Sequence, residues 1–455
     1  LAGGGGGGRD AWTAPGLAPS PSPSSIELAP SAVAALAPGA TLQLTATVKD
    51  ARGNPLAQTV TYSTSAPGIA TITTAGLVTA VGPAGTATIT ATAAAVTSNS
   101  VSVVVGLPLR RFAQRVDLEA TSETSANVSM ADLDGDGDLD LVLAKGRHQP
   151  LFNRVLLNDG QARFREANLG STADRTYSAV LTDIDGDGDL DAVVSNDRPD
   201  NKVVYRNDGS ANFAFSGTWG DPTWATRNSA AADLNGDSRP DIIAANRAGQ
   251  SYACLNDGTG NFARNRCIVI PSSSAVTVVT GDFNGDGFID IAVPHRDGGQ
   301  GIVYLNNGMA GFGATQSFGG PNMNARAAAA GDLNGDGRID LVVGDEFRGV
   351  SVYLNQAGGG FTAGSPLGVA STPYSVAVGD LNGDGKPDVV VGNFDSPGSA
   401  FLNAGDGRTY FEVRFGDGAG PMYGMALGDL NGDGHSDIAV ARTGAPNVVY
   451  FGGTP

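Results

Sequence analysis

One nine-residue pattern, D-x-[DN]-G-D-x-x-x-D, occurs seven times in the chain at intervals of 48 to 51 residues. Side-chain oxygens at positions 1, 3, 5 and 9 and a backbone carbonyl at position 7 are the ligands that a hard cation such as Ca²⁺ prefers, and a glycine at position 6 permits the sharp turn. Asp, Asn and Gly also favour turns that hold no ion. Because the pattern recurs with Asp kept at positions 1, 5 and 9, the sequence predicts about seven calcium sites, one per repeat.

The predicted metal ligands are the residues at positions 1, 3, 5, 7 and 9 of each loop: Asp132, Asp134, Asp136, Asp138 and Asp140; Asp183, Asp185, Asp187, Asp189 and Asp191; Asp233, Asn235, Asp237, Arg239 and Asp241; Asp282, Asn284, Asp286, Phe288 and Asp290; Asp332, Asn334, Asp336, Arg338 and Asp340; Asp380, Asn382, Asp384, Lys386 and Asp388; Asp429, Asn431, Asp433, His435 and Asp437. The site at 233–241 is predicted to be the weakest, since Ser238 replaces the glycine at position 6 and must adopt its backbone angles.

The net charge of −18 is concentrated in these loops. They hold 25 of the 46 acidic residues and three of the 28 lysines and arginines, so elsewhere 21 acidic residues are outnumbered by 25 basic ones. The low isoelectric point therefore describes ion sites and not an acidic surface. Nucleic-acid binding is not expected, because the chain has no basic run and its net charge is negative.

The acidic loops lie between short apolar runs, as in 128–131 and 141–144, which predict two strands joined by the loop. An apolar run, a turn rich in Asn, Asp and Gly and then an aromatic residue follow, as in 154–164, and predict a hairpin of two further strands. A period near 50 residues indicates a repeat architecture with one four-stranded unit per repeat.

The seventh repeat is incomplete at its end. Residues 447–452 supply its third strand, but no aromatic fourth strand follows before Pro455. Residues 111–114, around Phe112, precede the first repeat without a hairpin of their own. This segment is expected to complete the last unit and close a ring of strands.

These motifs resemble the FG-GAP/VCBS repeat family, whose members include integrin α-subunits, lectins and bacterial surface proteins. The resemblance implies an all-β fold in which residues 107–455 form a seven-bladed, calcium-binding β-propeller. It does not decide the function, because the same propeller serves adhesion, sugar binding and, in some polysaccharide lyases, catalysis.

Residues 25–106 are rich in Thr, Ala and Val, and they alternate apolar and polar positions as strands do. The runs 36–55 and 65–93 are similar to those of bacterial Ig-like domains, which implies an N-terminal Ig-like β-sandwich; Tyr62 stands where that family often has Trp.

Residues 1–24 predict a Gly/Pro-rich tether, which offers a route to self-assembly. No apolar stretch is long enough for a transmembrane segment, and the domains together favour a secreted or bacterial cell-surface location.

One set of residues shares an offset of six positions before each acidic loop, where the innermost strand of a blade would enter the central channel. We call this ring the channel mouth; it consists of Ala126, Tyr177, Arg227, Val276, Arg326, Tyr374 and Tyr423. The loops between the second and third strands should lie on the same face, opposite the acidic loops, and six of them carry an arginine: Arg147, Arg198, Arg247, Arg296, Arg348 and Arg442.

Arginine binds carboxylates, and tyrosine rings stack on sugars or cations, so Tyr177, Arg227, Arg326, Tyr374 and Tyr423 are candidate ligand-binding residues. Ordinary solvated arginines and tyrosines packed between blades would give the same pattern. Trp219 and Trp224 are further candidates if exposed, and core residues if buried against the next blade.

Two cysteines, Cys254 and Cys267, flank the third hairpin and are compatible either with a cross-strand disulfide or with two buried thiols.

The chain lacks a Ser-His-Asp set, a zinc pattern and a phosphate loop, so it is not expected to be an enzyme. The sequence favours an extracellular calcium-binding recognition or adhesion protein with a glycan or extracellular protein as partner. A polysaccharide lyase acting on acidic glycans and a structural subunit of a surface assembly are the alternatives.

Overall fold

The structure is a computed structural model that describes residues 21–31, 33, 36, 40–81, 85–105, 112–272, 274–369 and 371–453. Most of the predicted tether (1–24), the proposed self-assembly through it, and the connection at 106–111 lie outside the described residues. The chain divides into two compact units, Leu1–Gly106 and Leu107–Pro455.

Within its described residues, the N-terminal unit contains ten strands in three antiparallel sheets, with the orders β1-β3-β4, β10-β8-β5 (β9 pairing with β8) and β2-β7-β6. The strands are β1 (Ser25–Ala29), β2 (Thr41–Gln43), β3 (Thr45–Lys49), β4 (Pro55–Leu56), β5 (Thr61–Thr64), β6 (Ala70–Ile72), β7 (Leu77–Ala80), β8 (Gly85–Ala93), β9 (Val96–Thr97) and β10 (Val101–Val105). Alternate residues of β8 and β10 are buried, and Ile89, Val101 and Val103 form part of one core against which Tyr62 packs. The alternation predicted from the sequence thus gives each of these strands one core face.

The C-terminal unit contains seven antiparallel sheets of four strands each, among the residues that the structure describes. Six of them use four consecutive strands each. The first three sheets are β12 (Ser125–Ala131), β13 (Asp140–Lys145), β14 (Arg154–Asn158) and β15 (Phe164–Asn168); β16 (Thr176–Thr182), β17 (Asp191–Asn196), β18 (Lys202–Arg206) and β19 (Ala214–Trp219); and β20 (Thr226–Ala232), β21 (Asp241–Asn246), β22 (Ser251–Cys254) and β23 (Cys267–Ile270), the last preceded by a 3₁₀ turn (Arg264–Arg266). The next three sheets are β24 (Val279–Gly281), β25 (Asp290–Val293), β26 (Gly301–Leu305) and β27 (Ala314–Phe318); β28 (Ala325–Gly331), β29 (Asp340–Asp345), β30 (Gly349–Asn355) and β31 (Phe361–Leu367); and β32 (Pro373–Gly379), β33 (Asp388–Asn393), β34 (Gly398–Asn403) and β35 (Tyr410–Phe415). The remaining sheet contains β36 (Met422–Gly428), β37 (Asp437–Arg442), β38 (Val448–Tyr450) and, from the other end of the unit, β11 (Arg115–Asp117).

The first strands of successive sheets contact one another around a cycle, and β12 also contacts β36. This arrangement is a β-propeller, so the predicted all-β fold is confirmed. The closing strand β11 pairs antiparallel with β38, with Val116 opposite Val449. It lies just after Phe112, which is buried beside Phe415, so the expected segment closes the ring a few residues later than the sequence indicated.

The second strand of most sheets is buried along its whole length, as in Asp140–Lys145 and Asp191–Asn196. Its neighbours are other strands of its own sheet at both edges and adjacent sheets on both faces, which explains why its sequence is a continuous apolar run. Core clusters accordingly mix residues of adjacent sheets, such as Val142 with Ala192. By contrast, the outer strand Phe164–Asn168 is mostly exposed.

Cys254 and Cys267 form a disulfide bond, which resolves the alternative left open by the sequence. The two residues are directly opposite each other in the β22–β23 pair. The bridge therefore joins the third and fourth strands of a single sheet.

Candidate functional site

The acidic loops fold through hydrogen bonds from backbone amides to their own side chains. In the first loop, Asp132 accepts bonds from the amides of Gly135 at 2.8 Å and Gly137 at 3.0 Å, one at each carboxylate oxygen. Asp136 accepts a bond from the amide of Asp138 at 2.9 Å. The same pattern recurs at Asp183, and the glycines at positions 4 and 6 have positive φ angles, which glycine adopts readily.

The aspartate at position 9 is buried in every loop and ties the loop to the hairpin of its own sheet. Asp140 accepts a bond from the amide of Leu133 at 2.9 Å and another from the amide of Asn158 at 2.8 Å. Burial raises the pKa of Asp140 to about 6 and that of Asp388 to about 7. An ionised carboxylate in this position therefore needs a compensating positive charge.

The donor sets of the first two loops fit a cation. Carboxylate oxygens of Asp132, Asp134 and Asp136 lie within 4.8 Å of one another, as do those of Asp183, Asp185 and Asp191. Buried oxygens of Asp134 and Asp185 have no hydrogen-bond partner, which is costly unless an ion uses them. A site whose ligands are carboxylate oxygens, three in each of these two loops, suits Ca²⁺ better than a transition metal.

The third loop differs from the others in the way the sequence predicts. Ser238 has φ +63°, the left-handed conformation that glycine adopts at this position elsewhere. In addition, the guanidinium of Arg239 lies 2.5 Å from the carboxylate of Asp237, and Arg338 pairs with Asp336 in the fifth loop. An ion at either loop would compete with an arginine for the aspartate at position 5.

An asparagine at the start of each of the first six hairpins links its sheet to the acidic loop of the preceding sheet, a role that the sequence analysis did not anticipate. Its side-chain amide donates to the carbonyl at position 2 of that loop at 2.7 to 2.8 Å. The pairs are Asn158–Leu430, Asn207–Leu133, Asn256–Ile184, Asn306–Leu234, Asn355–Phe283 and Asn403–Leu333. In the last sheet the amide of Gly452 donates to Asp437, and Ser436 donates to the carbonyl of Asp380.

Six of the seven channel-mouth residues are the extra residues of β-bulges. In β16, Thr176 is opposite Asn196 and Ser178 is opposite Ser195, so Tyr177 has no place in the register. In the corresponding strands of five other sheets, the same shift leaves one residue without a partner in the second strand: Ala126, Arg227, Arg326, Tyr374 and Tyr423. A bulge redirects a side chain away from its strand's regular alternation, which explains how one offset places all these residues at the channel.

All seven channel-mouth residues line one cavity of about 400 Å³, together with Arg147, His148, Arg247 and Arg296. The cavity lies at the start of the first strands and the end of the second, whereas the acidic loops join the opposite ends of these strands. A seven-residue strand such as Ser125–Ala131 separates the two ends by about 20 Å. The structure thus brings the five candidate ligand-binding residues together, with Tyr177 buried and the other four half-buried.

Arginines pack on aromatic rings at several places around this cavity. Arg227 lies over the Tyr177 ring, with its guanidinium carbon 4.1 Å from the ring centroid, and Arg326 lies over Tyr374 at 4.0 Å. The Arg326 guanidinium also donates to the Tyr374 hydroxyl at 2.7 Å. The Tyr374 ring in turn contacts Tyr423, with centroids 4.9 Å apart. These contacts hold the charged groups at fixed positions at the cavity wall.

His148 adds a titratable group to the same wall. Its ring lies 3.1 Å from the Tyr177 hydroxyl. Burial, followed by the charges of Arg147 and Arg227, lowers the pKa of His148. The imidazole is therefore neutral at pH 7 and can accept or donate a hydrogen bond.

Several predicted candidates do not belong to this site. Arg442 is buried at 1% exposure, where it bonds to the Pro446 carbonyl and pairs with Asp417, so it stabilises the last sheet. Arg198 and Arg348 are exposed and do not line the cavity.

The suggestion of exposed tryptophans is wrong. Trp219 and Trp224 are 2% and 6% exposed, and Trp224 stacks on Tyr252 with centroids 4.1 Å apart. Trp219 also donates from its indole nitrogen to the Val194 carbonyl. Both side chains fill the interface with the next sheet.

The chain belongs to the FG-GAP-like repeat family, which it matches over residues 132–194, 183–244, 233–293, 282–343, 332–391 and 380–440. Residues 24–105 match the bacterial Ig-like domain, group 2. FG-GAP repeats often bind calcium, and both kinds of domain are typical of extracellular proteins. No curated protein matches the chain.

Solved structures share the fold at low sequence identity. BBS1N in complex with ARL6DN matches at 11% identity and a TM-score of 0.51 in a mercury-soaked crystal, covering 76% of this chain and 97% of that one. The lead-soaked crystal of the same complex matches at 11% identity and a TM-score of 0.51, covering 75% of this chain and 96% of that one. A lectin of Agrocybe aegerita that recognises non-reducing terminal N-acetylglucosamine matches at 22% identity and a TM-score of 0.48, covering 72% of this chain and 87% of that one. The two BBS1N matches, whose TM-scores exceed 0.5, concern the fold alone.

Across the described ranges, no helix combines the length and the hydropathy that crossing a bilayer requires.

Proposed function

We propose that this chain is an extracellular recognition protein whose channel mouth binds a glycan or a protein partner, while calcium in the acidic loops stabilises the opposite end of the propeller. The observation that carries the proposal is the convergence of five arginines and three tyrosines on one cavity. Clustered arginine and tyrosine are typical of binding sites, because each offers a large contact area together with directional hydrogen bonds.

The calcium part of the proposal rests on the acidic loops. Their repeated donor set, the unpartnered oxygens of Asp134 and Asp185 and the buried position-9 aspartates all favour a bound cation. At this distance from the channel mouth the ions would act on stability and not on the ligand directly.

A double substitution, Arg326→Ala with Tyr374→Ala, tests the binding site. These residues bond to each other, so removing both avoids leaving either one without its partner. We expect binding to glycans or proteins identified on arrays to fall at least tenfold. A control pair away from the cavity, Arg163→Ala with Phe215→Ala, removes an exposed arginine and an exposed aromatic residue and should leave binding unchanged.

Thermal melting of both double variants identifies any loss that arises from unfolding. If the Arg326/Tyr374 variant is folded and binds as tightly as the parent, the channel mouth is not the binding site.

A polysaccharide lyase is the second candidate, favoured by the contact between His148 and Tyr177 beside Arg147 and Arg227. In such a reaction a base removes the proton next to a uronate carboxylate, a carbon–carbon double bond forms as the adjacent C–O bond breaks, and the leaving oxygen takes up a proton from solvent. Burial raises the pKa of Tyr177, which makes it a poor base, so neutral His148 would have to accept the proton. Ultraviolet-absorbing unsaturated products from acidic polysaccharides, lost in His148→Ala, would establish catalysis; their absence leaves binding as the function.

A further inference from the structure

The charges at the channel mouth do not balance. Of the five arginines that line the cavity, Arg227 pairs with Asp197, Arg247 with Asp297, and Arg296 and Arg326 share Glu346. Three carboxylates thus face five guanidinium groups. Among the described residues, Arg147 has no carboxylate within 4 Å, so the net positive charge is centred on it.

The backbone holds Arg147 in an unusual conformation. Its φ angle is +48°, in the left-handed region that residues with a Cβ rarely adopt. The amide of Arg147 donates to the Thr176 carbonyl at 3.1 Å, and that of the preceding Gly146 donates to Thr124 at 2.9 Å. These bonds fix the residue between the first two sheets. Strain of this kind is concentrated at functional sites, where the surrounding structure enforces it.

The guanidinium of Arg147 is stacked on aromatic rings. Its central carbon lies 3.6 Å from the centroid of Tyr423 and 5.6 Å from that of Tyr177. Stacking occupies the face of the group, whereas its N–H donors point outward in the plane. One buried nitrogen, Nε, has no hydrogen-bond partner. Because Nε is buried, the donors that can meet an anion such as a carboxylate are those of the terminal nitrogens of this half-buried side chain.

An aromatic surface continues from this group. Tyr423 contacts Tyr374 at 4.9 Å between centroids, and Tyr374 contacts Phe394 at 4.8 Å. Phe394 remains 41% exposed, so this surface is open to a ligand. The exposed part of the Phe394 ring offers an apolar face on which the C–H groups of a sugar ring can pack.

We infer that the ligand is an acidic glycan, in which a uronate carboxylate binds Arg147 and the attached sugar ring lies on the Tyr374–Phe394 surface. This inference rests on the proposed function. A uronate carries its carboxylate directly on the ring, so the two contacts are made together. In an acidic peptide the carboxylate is at the end of a flexible side chain, which does not couple it to a rigid flat group.

Calorimetric titration of the full chain at a fixed calcium concentration tests the inference. The probes are a galacturonic acid hexasaccharide, a hexasaccharide that alternates glucuronic acid with N-acetylglucosamine, and their carboxyl-reduced counterparts. We expect at least one acidic probe to bind and its reduced form to bind at least tenfold more weakly. Arg147→Gln should cause a similar loss, whereas the control Arg163→Gln, at an exposed hairpin arginine, should not.

The outcomes separate the inference from the proposal it rests on. Binding of a neutral glycan that needs Tyr374 but not Arg147 would overturn the uronate assignment and keep the recognition function. Equal, Arg147-dependent binding of a poly-glutamate peptide would overturn the glycan class. If no array glycan or protein binds in a manner that depends on Arg326 and Tyr374, the recognition function itself fails.

Discussion

The side-chain amide of Asn158 donates a hydrogen bond of 2.8 Å to the carbonyl oxygen of Leu430, 272 positions away in the chain. The backbone amide of Asn158 donates to Asp140 in its own sheet, so one residue joins the acidic loops of the first and last sheets. Together with the β11–β38 pairing, this bond closes the propeller.

Replacing Asn158 with Ala should lower the free energy of unfolding by about 1–3 kcal/mol, because the carbonyls of Leu430 and Leu139 each lose a hydrogen bond, although Leu430 keeps its bond from the amide of Ala162. Urea denaturation measures this change. The control is Asn212→Ala, which removes an exposed hairpin asparagine bonded only to Asp208 and should cost less than about 0.5 kcal/mol. Equal effects of the two substitutions would contradict the role of Asn158 in closure.

Removal of calcium should lower the melting temperature of the propeller by roughly 5 °C or more, because an ion that binds only the folded loops stabilises the folded state. The N-terminal unit contains none of the seven acidic loops, so its transition should change little. Calorimetry with and without excess EDTA, followed by restored calcium, tests this. A propeller transition that is the same in EDTA would exclude structural calcium.

Ser238→Gly should stabilise the protein by about 1 kcal/mol, since glycine adopts the observed φ of +63° without a steric cost. The variant should also strengthen calcium binding at the third loop. Ser238→Ala is the matched control, because it removes the hydroxyl and keeps the strain. If alanine stabilises as much as glycine, backbone strain is not what distinguishes this loop.

Deletion of residues 110–117 should cause aggregation or loss of cooperative unfolding, because it removes β11 and exposes the edge of β38. Deletion of residues 1–105 should leave a folded propeller with the near-parent melting temperature. Size-exclusion chromatography and thermal melting compare the two. A propeller that tolerates both deletions equally would not depend on closure by β11.

Lys202 should make stability rise with pH above neutrality. Its ammonium is buried and donates to the carbonyls of Asp221 and Trp224, and burial lowers its pKa to about 8. Between about pH 8 and pH 10 the unfolded chain binds a proton that the folded chain has released, so stability increases across this window, by up to about 1.4 kcal/mol per pH unit.

Urea unfolding between pH 7.5 and 9.5 measures this slope. Lys202→Met should flatten it even though the variant also loses two hydrogen bonds. An unchanged slope in Lys202→Met would assign the pH dependence to other groups.

The sequence was sufficient to predict the repeats, the strands and the hairpins, and it placed the strand that closes the ring only a few residues too early. These features follow from local rules: alternation, turn residues and a fixed period. It also predicted which residues meet at the channel mouth, but it did not predict the β-bulges that place six of them there. The role of those residues in binding, like that of the calcium loops, stays a prediction.

The errors came from long-range packing, which local patterns do not contain. The sequence groups Arg442 with Arg147, but Arg442 is the last residue of β37, where nearby Asp417 and the Pro446 carbonyl satisfy it inside the fold. Trp219 and Trp224 are buried by a neighbouring sheet. The asparagine links could have been inferred from the Asn that opens each of the first six hairpins, but the partner carbonyl lies about 70 residues away along the chain in five of them and at the far end in the first.

The β-bulges at the channel mouth separate two tasks within each inner strand. The residue at the bulge takes no part in the strand register, so its side chain can change without altering the ladder that supports the acidic loop at the other end. The six bulge positions therefore form a set that can be randomised together in a display library. New ligand specificities should be selectable from such a library while the scaffold keeps its stability.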